Sequence, residues 1–336
     1  MHIFRPVIPL LFAIACHADS VDDLLRQGNY QQATQQAEAA LASATDQPAR
    51  WQAQRDLARS WLHKDRYQEA GALLQSLLYG PQAVPADSLL YADLLDAWFE
   101  ILRDSSRYKE ADPVGTQALA LRIQLLGPQH LLVAESLNNL ALLRQYTANY
   151  REAIRLHEQA LTMRKSLAGE SSPEVAESLH NLGTLYDRKK DWSTAEQYLQ
   201  QTLTLKQQIM PATHPSIRVT KARLAANYIN SKHYNRAIPL FEEVLAAEQG
   251  STNSSPLHQA IVLRELADAH QYLRHVEISE RYYLQALDLF AANVGKQHYA
   301  YAVALNGLGW LYKMNGKPEQ GKNMIVESER LFDAIK

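Results

Sequence analysis

The sequence predicts an all-α protein built from repeated helix pairs, on three observations. Apolar residues recur at spacings of three and four. Several residue columns return every 42 positions. The short segments between apolar stretches carry residues that start and stop helices. The 336 residues are 46% hydrophobic and 21% charged, with a net charge of −2. Near-neutral charge removes the electrostatic footprint that nucleic-acid binding needs, so no nucleic-acid partner is expected.

The N-terminus stands apart. In MHIFRPVIPLLFAIACHADS one basic residue, Arg5, precedes an apolar run from Val7 to Ala15. That run is too short to span a bilayer and has the length of a signal-peptide core. Residues 1–18 are therefore expected to be a signal peptide. Cleavage is possible after Ala15 or after Ala18, where small residues stand. Ala13-Ile14-Ala15-Cys16 also resembles a bacterial lipobox, which would lipidate Cys16 and tether the protein to a membrane. Ala13 departs from the larger aliphatic residue that this motif prefers. Cys16 is the only cysteine, so no disulfide framework is expected.

The repeat register starts from an alanine three residues after an aromatic: Tyr108 and Ala111, Tyr150 and Ala153, Trp192 and Ala195, Tyr234 and Ala237. Two further steps of 42 reach Ser279 and Gly321. Upstream, Tyr67 with Ala70 and Tyr30 with Ala33 extend the series at spacings of 41 and 37, giving eight units, the first with a clipped leading helix. Thirteen residues before the alanine stands a leucine: Leu57, Leu140, Leu182, Leu224, Leu266 and Leu308, with Trp98 as the exception. A small residue follows it, apart from Phe99, and an aromatic often stands four residues after it: Trp61, Tyr186, Tyr228 and Tyr312.

Each unit reads as two amphipathic helices. Around Leu182, residues Val175, Leu179, Leu185 and Tyr186 share one face of the first helix. After a turn at Lys189 to Asp191, the second helix carries Ala195, Tyr198, Leu199 and Leu203. Small residues let the helix axes approach, and the aromatic fills the space beside them. Ser172-Pro173-Glu174 offers a cap, a first-turn proline and an acid near the positive helix end. His214-Pro215 and Ser255-Pro256 recur in that place, and Gly127, Gly169, Gly250 and Gly295 stand near the preceding helix ends. One unit cannot bury its apolar face alone, so residues 19–336 are expected to form a single solenoid of about seven to eight helix pairs. The register is clearest over 87–312. Residues 313–336, where Pro318 and Gly321 replace the aromatic and the alanine, read as a C-terminal cap.

These columns match the tetratricopeptide repeat. The strings GPQHLLVAESLNNLALL, GESSPEVAESLHNLGTLY and GKQHYAYAVALNGLGWLY resemble the long repeat of kinesin light chains, a variant also common in bacterial proteins. The resemblance implies a right-handed α-α superhelix with a concave, peptide-binding groove. In that family the first helix of each unit lines the groove, and asparagine at the Asn139 and Asn181 position hydrogen-bonds ligand peptides. Carried over, the groove candidates are Asn138, Asn139, His180, Asn181, Arg188, Arg223, Arg264 and Asn306. Gln145, Asn230, Gln271 and Lys313 lie further along these helices. The same asparagines read equally well as ties to a neighbouring repeat. Amides suit an extended peptide backbone, and arginines suit carboxylates.

Enzymatic chemistry is not expected. There is no HExxH motif, no cysteine ligand set and no Gly-rich phosphate loop. His130, His214 and His298 fall in the linker column and read as turn and cap residues. His270 and His275, five apart, fall on different sides of a helix. No metal or cofactor is implied. The expected function is an exported, periplasmic interaction scaffold of a bacterial envelope, binding a protein or peptide partner. The alternatives are an outer-membrane lipoprotein assembly factor held by Cys16 and a cytoplasmic regulatory scaffold.

Overall fold

A computed structural model describes residues 20–26, 28–62, 66–250 and 255–335. The expected signal peptide and Cys16 lie outside them. The described residues are helical throughout, with no strand. The chain forms two compact units, one up to Pro128 and one from Gln129. The first holds α1 (Val21–Arg26), α2 (Tyr30–Ser43), α3 (Gln47–Leu62), α4 (Tyr67–Tyr79), α5 (Leu89–Asp104) and α6 (Tyr108–Leu126). The second holds α7 (Leu131–Tyr146), α8 (Tyr150–Ala168), α9 (Pro173–Arg188), α10 (Trp192–Ile209), α11 (Pro215–Asn230), α12 (Tyr234–Gln249), α13 (Pro256–Tyr272), α14 (Val276–Asn293), α15 (Tyr299–Met314) and α16 (Pro318–Ile335). Consecutive helices pack as pairs, as the repeat register requires, and α1 is the short leading helix of the first pair.

The columns explain the packing. Ala33, Ala70, Ala111, Ala153, Ala195, Ala237 and Ser279 are all fully buried, as are the small residues Ala58, Ala141, Ala225 and Ala267 after the leucine. An alanine at each crossing lets the two backbones approach, and larger side chains interlock around it. The last pair goes further. A Cβ on Gly321 would meet the Gly309 carbonyl oxygen at 2.4 Å, so two glycines bring α15 and α16 closer than alanines would allow. In the second unit, α13 to α16 share one apolar cluster around Tyr283, Phe290, Leu305 and Leu308. Leu199, Leu224, Phe241 and Leu266 join α10 to α13 in another.

The turn inside each pair is nearly constant. Ser106, Ala148, Lys190, Lys232 and Arg274 adopt φ between 58° and 64°, at steps of 42 residues. A non-glycine residue there costs roughly 1–2 kcal/mol. A backbone bond across the turn offsets that cost: Asn149 N–H donates to Arg144 O at 2.8 Å, and Asp191, His233 and His275 repeat the bond to Tyr186, Tyr228 and His270.

The starts of the first helices bear out the cap roles. Nδ1 of His130, His214 and His298 accepts from the backbone N–H two residues on, while Ser88, Ser172 and Ser255 accept from the N–H three residues on. Gly127, Gly169 and Gly295 take positive φ at the preceding helix ends. Gly250 does not: its φ is −84°, ordinary helical backbone that any residue adopts. No helix of the described residues is long and apolar enough to cross a membrane.

Candidate functional site

Two stripes flank the motif leucine on each first helix, and they differ in what they face. One carries the small residues: Ala134, Asn138, Ala141 and Gln145 on α7, Ala260, Arg264 and Ala267 on α13, Ala302, Asn306 and Gly309 on α15. Spacings of three and four align them, and the small residues turn this stripe toward the second helix of the pair. The other stripe begins one residue later: Asn139, Leu142 and Tyr146 on α7, Asn181, Thr184 and Arg188 on α9, Val219, Arg223 and Asn230 on α11. It continues through Ile261, Glu265, Asp268 and Tyr272 on α13 and Gly307, Trp310 and Met314 on α15. Tyr146, Arg188, Val219, Arg223, Asn230, Ile261, Tyr272, Trp310 and Met314 are exposed there. First helices of successive pairs lie side by side, α9 on α11, α11 on α13 and α13 on α15, so this second stripe is the continuous open face of the unit.

The expected groove residues divide between the two stripes. Asn138 does not face open space. It is 2% exposed, and its Oδ1 accepts from Asn181 Nδ2 at 2.9 Å and from His157 of α8 at 3.0 Å. Its own Nδ2 donates to Glu177 at 3.4 Å. Asn139 is also buried, and Asn181 is half-buried. Asn306 donates to Ser328 of α16 at 2.9 Å, tying its pair together. Arg264 is held by Glu265 and by Asp268, the latter at 2.6 Å. His180 is half-buried with Nδ1 lacking a hydrogen-bond partner among the described residues. Burial, with Lys206 and Arg223 nearby, pushes its pKa down to about 4, so it is neutral at pH 7.

Arg188 and Arg223 are the open cations of the set. The Arg188 guanidinium lies 5.5 Å from the Tyr146 ring centre. Its neighbour Asp187 is taken by the amides of Asn227, at 3.1 Å, and Asn230, at 3.3 Å, both on α11. Arg223 forms no hydrogen bond or ion pair among the described residues, so both guanidiniums are available to an outside carboxylate.

A cavity of about 400 Å³ lies further along the open face, lined by Asp268, Gln271, Tyr272, Tyr283, Gly307, Trp310 and Met314 among others. Gly307 lets Tyr283 lie directly against the α15 backbone at its wall: a Cβ there would meet the Tyr283 hydroxyl at 2.6 Å. Other repeats place Asn139, Asn181, Arg223 or Glu265 at that position. The Tyr283 hydroxyl hydrogen-bonds Asp268 at the floor, and Tyr272 stacks on Tyr234 at 4.6 Å. Burial raises the Asp268 pKa to about 6, against the pull of Arg264.

Comparison with known proteins decides the family. Two models described as tetratricopeptide repeat match the chain, one over residues 100–166, 149–208 and 258–331 and the other over 19–88. The chain belongs to the tetratricopeptide repeat family. No curated protein matches it. Among solved structures, the putative kinesin light chain of Podosopora anserina, with nearly identical TPR-like repeats, is 21% identical at a TM-score of 0.53, covering 62% of this chain and 99% of that one. BtubC (BKLC) from P. vanneervenii is 20% identical at 0.52, covering 69% and 94%. A Signal Transduction ATPase with Numerous Domains from Pyrococcus horikoshii, carrying a tetratricopeptide repeat sensor, is 13% identical at 0.66, covering 94% of this chain and 48% of that one. These likenesses bear on the fold, which is that of kinesin light chain-like repeats. Tetratricopeptide repeats form scaffolds for protein–protein interaction.

One further column of this tetratricopeptide repeat protein has a period of 42 and was missed in the sequence: Arg122, Arg164, Lys206 and Glu248, all buried near the ends of second helices. Arg122 pairs with Asp93, at 2.8 Å, and Asp96. In the second unit, Arg164 reaches Glu174 O and Ser178 Oγ on α9, at 3.0 and 2.9 Å, and Lys206 reaches Thr220 Oγ1 on α11 at 3.0 Å. Glu248 reverses the sign and sits 3.2 Å from Arg218 and 3.0 Å from His258. The signal was present in the register, as charges recurring on a face that is otherwise apolar.

The sequence register also mixed two columns. Gln145 is buried, whereas Tyr146 shares the open column of Arg188, Asn230, Tyr272 and Met314. Nor do His270 and His275 diverge. The helix ends at Tyr272, Arg274 reverses the chain, and the two Nδ1 atoms stand 3.0 Å apart.

Proposed function

We propose that this protein is a non-enzymatic scaffold that binds an extended, acidic segment of a partner protein along the open face of its second unit. The observation that carries the reading is the pair of exposed arginines, Arg188 and Arg223, on adjacent first helices. Asp187, next to Arg188 in the chain, is already engaged by two asparagines. Arginine guanidiniums hold carboxylates through paired hydrogen bonds. The Oδ1 atoms of Asn181 and Asn230, whose Nδ2 groups are engaged by Asn138 and Asp187, add acceptors at the same face for a peptide backbone. Beyond them, the cavity between Tyr272 and Trp310, with aromatic and polar groups mixed in its walls, has the size for a large side chain of the same segment.

The leader-like N-terminus supports an exported protein, acting in the periplasm of a bacterial envelope. The lipobox-like stretch ending at Cys16 supports the variant reading of a lipid-anchored assembly factor in the outer membrane. Intact-mass measurement of the mature chain separates the two: a chain starting at Asp19 without lipid rejects the anchor.

The binding reading is tested by affinity capture from envelope extract with the chain and its Arg188→Ala/Arg223→Ala variant. The variant is expected to retain its melting temperature and to lose at least tenfold in capture. Capture by the parent chain should also weaken steeply as salt rises. Equal capture by both proteins rejects the acidic-segment reading.

A further inference from the structure

In three repeats the aromatic column supplies a ring that the residue five positions later meets across the turn. The Arg66 guanidinium lies 4.4 Å from the Trp61 ring centre, Lys317 lies 4.3 Å from Tyr312, and the His233 ring meets Tyr228 edge-on at 6.5 Å. The turn between α13 and α14 departs from this pattern, because both positions are histidines. Their Nδ1 atoms face each other at 3.0 Å.

We propose that His270 and His275 form a two-imidazole site for a divalent ion of the zinc, copper or nickel type. Imidazole nitrogens bind such ions at about 2.0–2.1 Å, so two ligands at near right angles stand about 3 Å apart. The observed separation matches that distance, and a small turn of the rings about their Cβ–Cγ bonds points both nitrogens, now aligned with each other in a hydrogen bond, at one shared ion. The turn that carries them is held before any ion arrives. His275 N–H donates to His270 O at 2.9 Å, in the turn bond shared by the other repeats, and His270 stacks on Tyr282 at 5.7 Å. Preorganisation of this kind removes most of the ordering cost of binding.

The environment also selects the nitrogen. Nε2 of His270 is buried without a hydrogen-bond partner among the described residues, so Nδ1 is the atom of that ring open to an incoming ion. His275 is exposed and gives access from solvent. Without the ion, one Nδ1–H donates to the other Nδ1. With it, each neutral ring keeps its proton on Nε2 and both Nδ1 lone pairs face the metal. No group of three or more His, Cys, Asp or Glu suited to a metal occurs among the described residues, so water fills the remaining positions.

The test uses calorimetric titration of the full chain with zinc chloride and with copper chloride at pH 7.5. The key variant is His270→Tyr, which restores the tyrosine–histidine pair already present at Tyr228 and His233 and so preserves the fold. His275→Ala is the second variant. One equivalent of ion bound by the parent chain, weakened at least tenfold in both variants with unchanged melting of the metal-free proteins, is the expected result. Absence of stoichiometric binding, or binding equal in parent and His270→Tyr, overturns the proposal.

Discussion

Asn181 donates from Nδ2 to Oδ1 of Asn138 at 2.9 Å, joining the first helices of two successive repeats. The same oxygen accepts from His157 on the second helix of the earlier pair at 3.0 Å. Three helices thus meet on one buried amide oxygen, and the adjacent asparagines at 138 and 139 acquire different roles.

Asn138→Ala should remove that shared acceptor and leave the donors of His157 and Asn181 unpaired. Buried donors stripped of a partner cost about 1–3 kcal/mol each, so a loss of about 3 kcal/mol is expected in urea unfolding. Asn181→Ala should cost less alone, and the double variant should fall short of the sum, because the two residues share one bond.

Acid should loosen the same joint. Burial depresses the pKa of His157 to about 4, with Arg164 adding to the effect. His180 is depressed to about 4 as well. A folded pKa below the unfolded 6.5 means that the unfolded chain binds more protons between these values. The stability is therefore complete above pH 6.5 and is lost as pH falls toward 4. Asp268 acts in the opposite sense: its pKa is raised to about 6, so between 3.8 and 6 the folded state holds the extra proton. Glu177 and Asp56, raised by burial, side with Asp268. Glu152 and Glu280, lowered by their hydrogen bonds, side with the histidines. The two large histidine shifts are expected to prevail, so the melting temperature should drop between pH 7 and 4.5. His157→Gln should flatten that slope by about 2 kcal/mol.

Gly321→Ala is expected to wedge α15 from α16, since its Cβ would meet the Gly309 carbonyl and the Lys313 backbone nitrogen, both at 2.4 Å. Overpacking of this kind costs about 1–3 kcal/mol. Hydrogen exchange should show the loss confined to the last helix pair. The six alanines of the same column show that the residue type is acceptable where the axes stand further apart.

Glu248→Ala should leave Arg218 half-buried beside an empty site and His258 without its acceptor. Removing one partner of a fully buried pair costs about 3–5 kcal/mol, so the lower end, about 3 kcal/mol, is expected here. Glu248→Lys, which restores the sign of the column, should be worse, because it places a second cation against Arg218. Thermal melting of the two variants checks the order.

Much of the fold was legible because packing constraints repeat. Ala153, Ala195 and Ala237 mark helix crossings that recur every 42 residues, and each crossing tolerates little besides a small side chain. The open face was less legible. Position 138 and position 139 are neighbours in sequence but 100° apart on a helix, and only the stripe shared with Ala134 and Ala141 shows that 138 turns inward. The cavity at Gly307 was invisible for a different reason. A glycine in a helix says nothing of the Tyr283 hydroxyl that a neighbouring helix places beneath it. The histidine pair is hidden from helix geometry because the helix ends at Tyr272 and Arg274 turns the chain back.

By itself, the sequence determined the helix pairs, their register, their caps and the family, since each rests on local propensity and on side chains a few residues apart. Tertiary structure decided which polar residues are used up and which remain open. Asn138 and Asn306 are spent inside the protein, whereas Arg188 and Arg223 face outward. The physical reason is that a polar group's availability depends on partners supplied by other helices, about 40 residues away in sequence, as Asn181 is from Asn138 and Asn227 from Asp187.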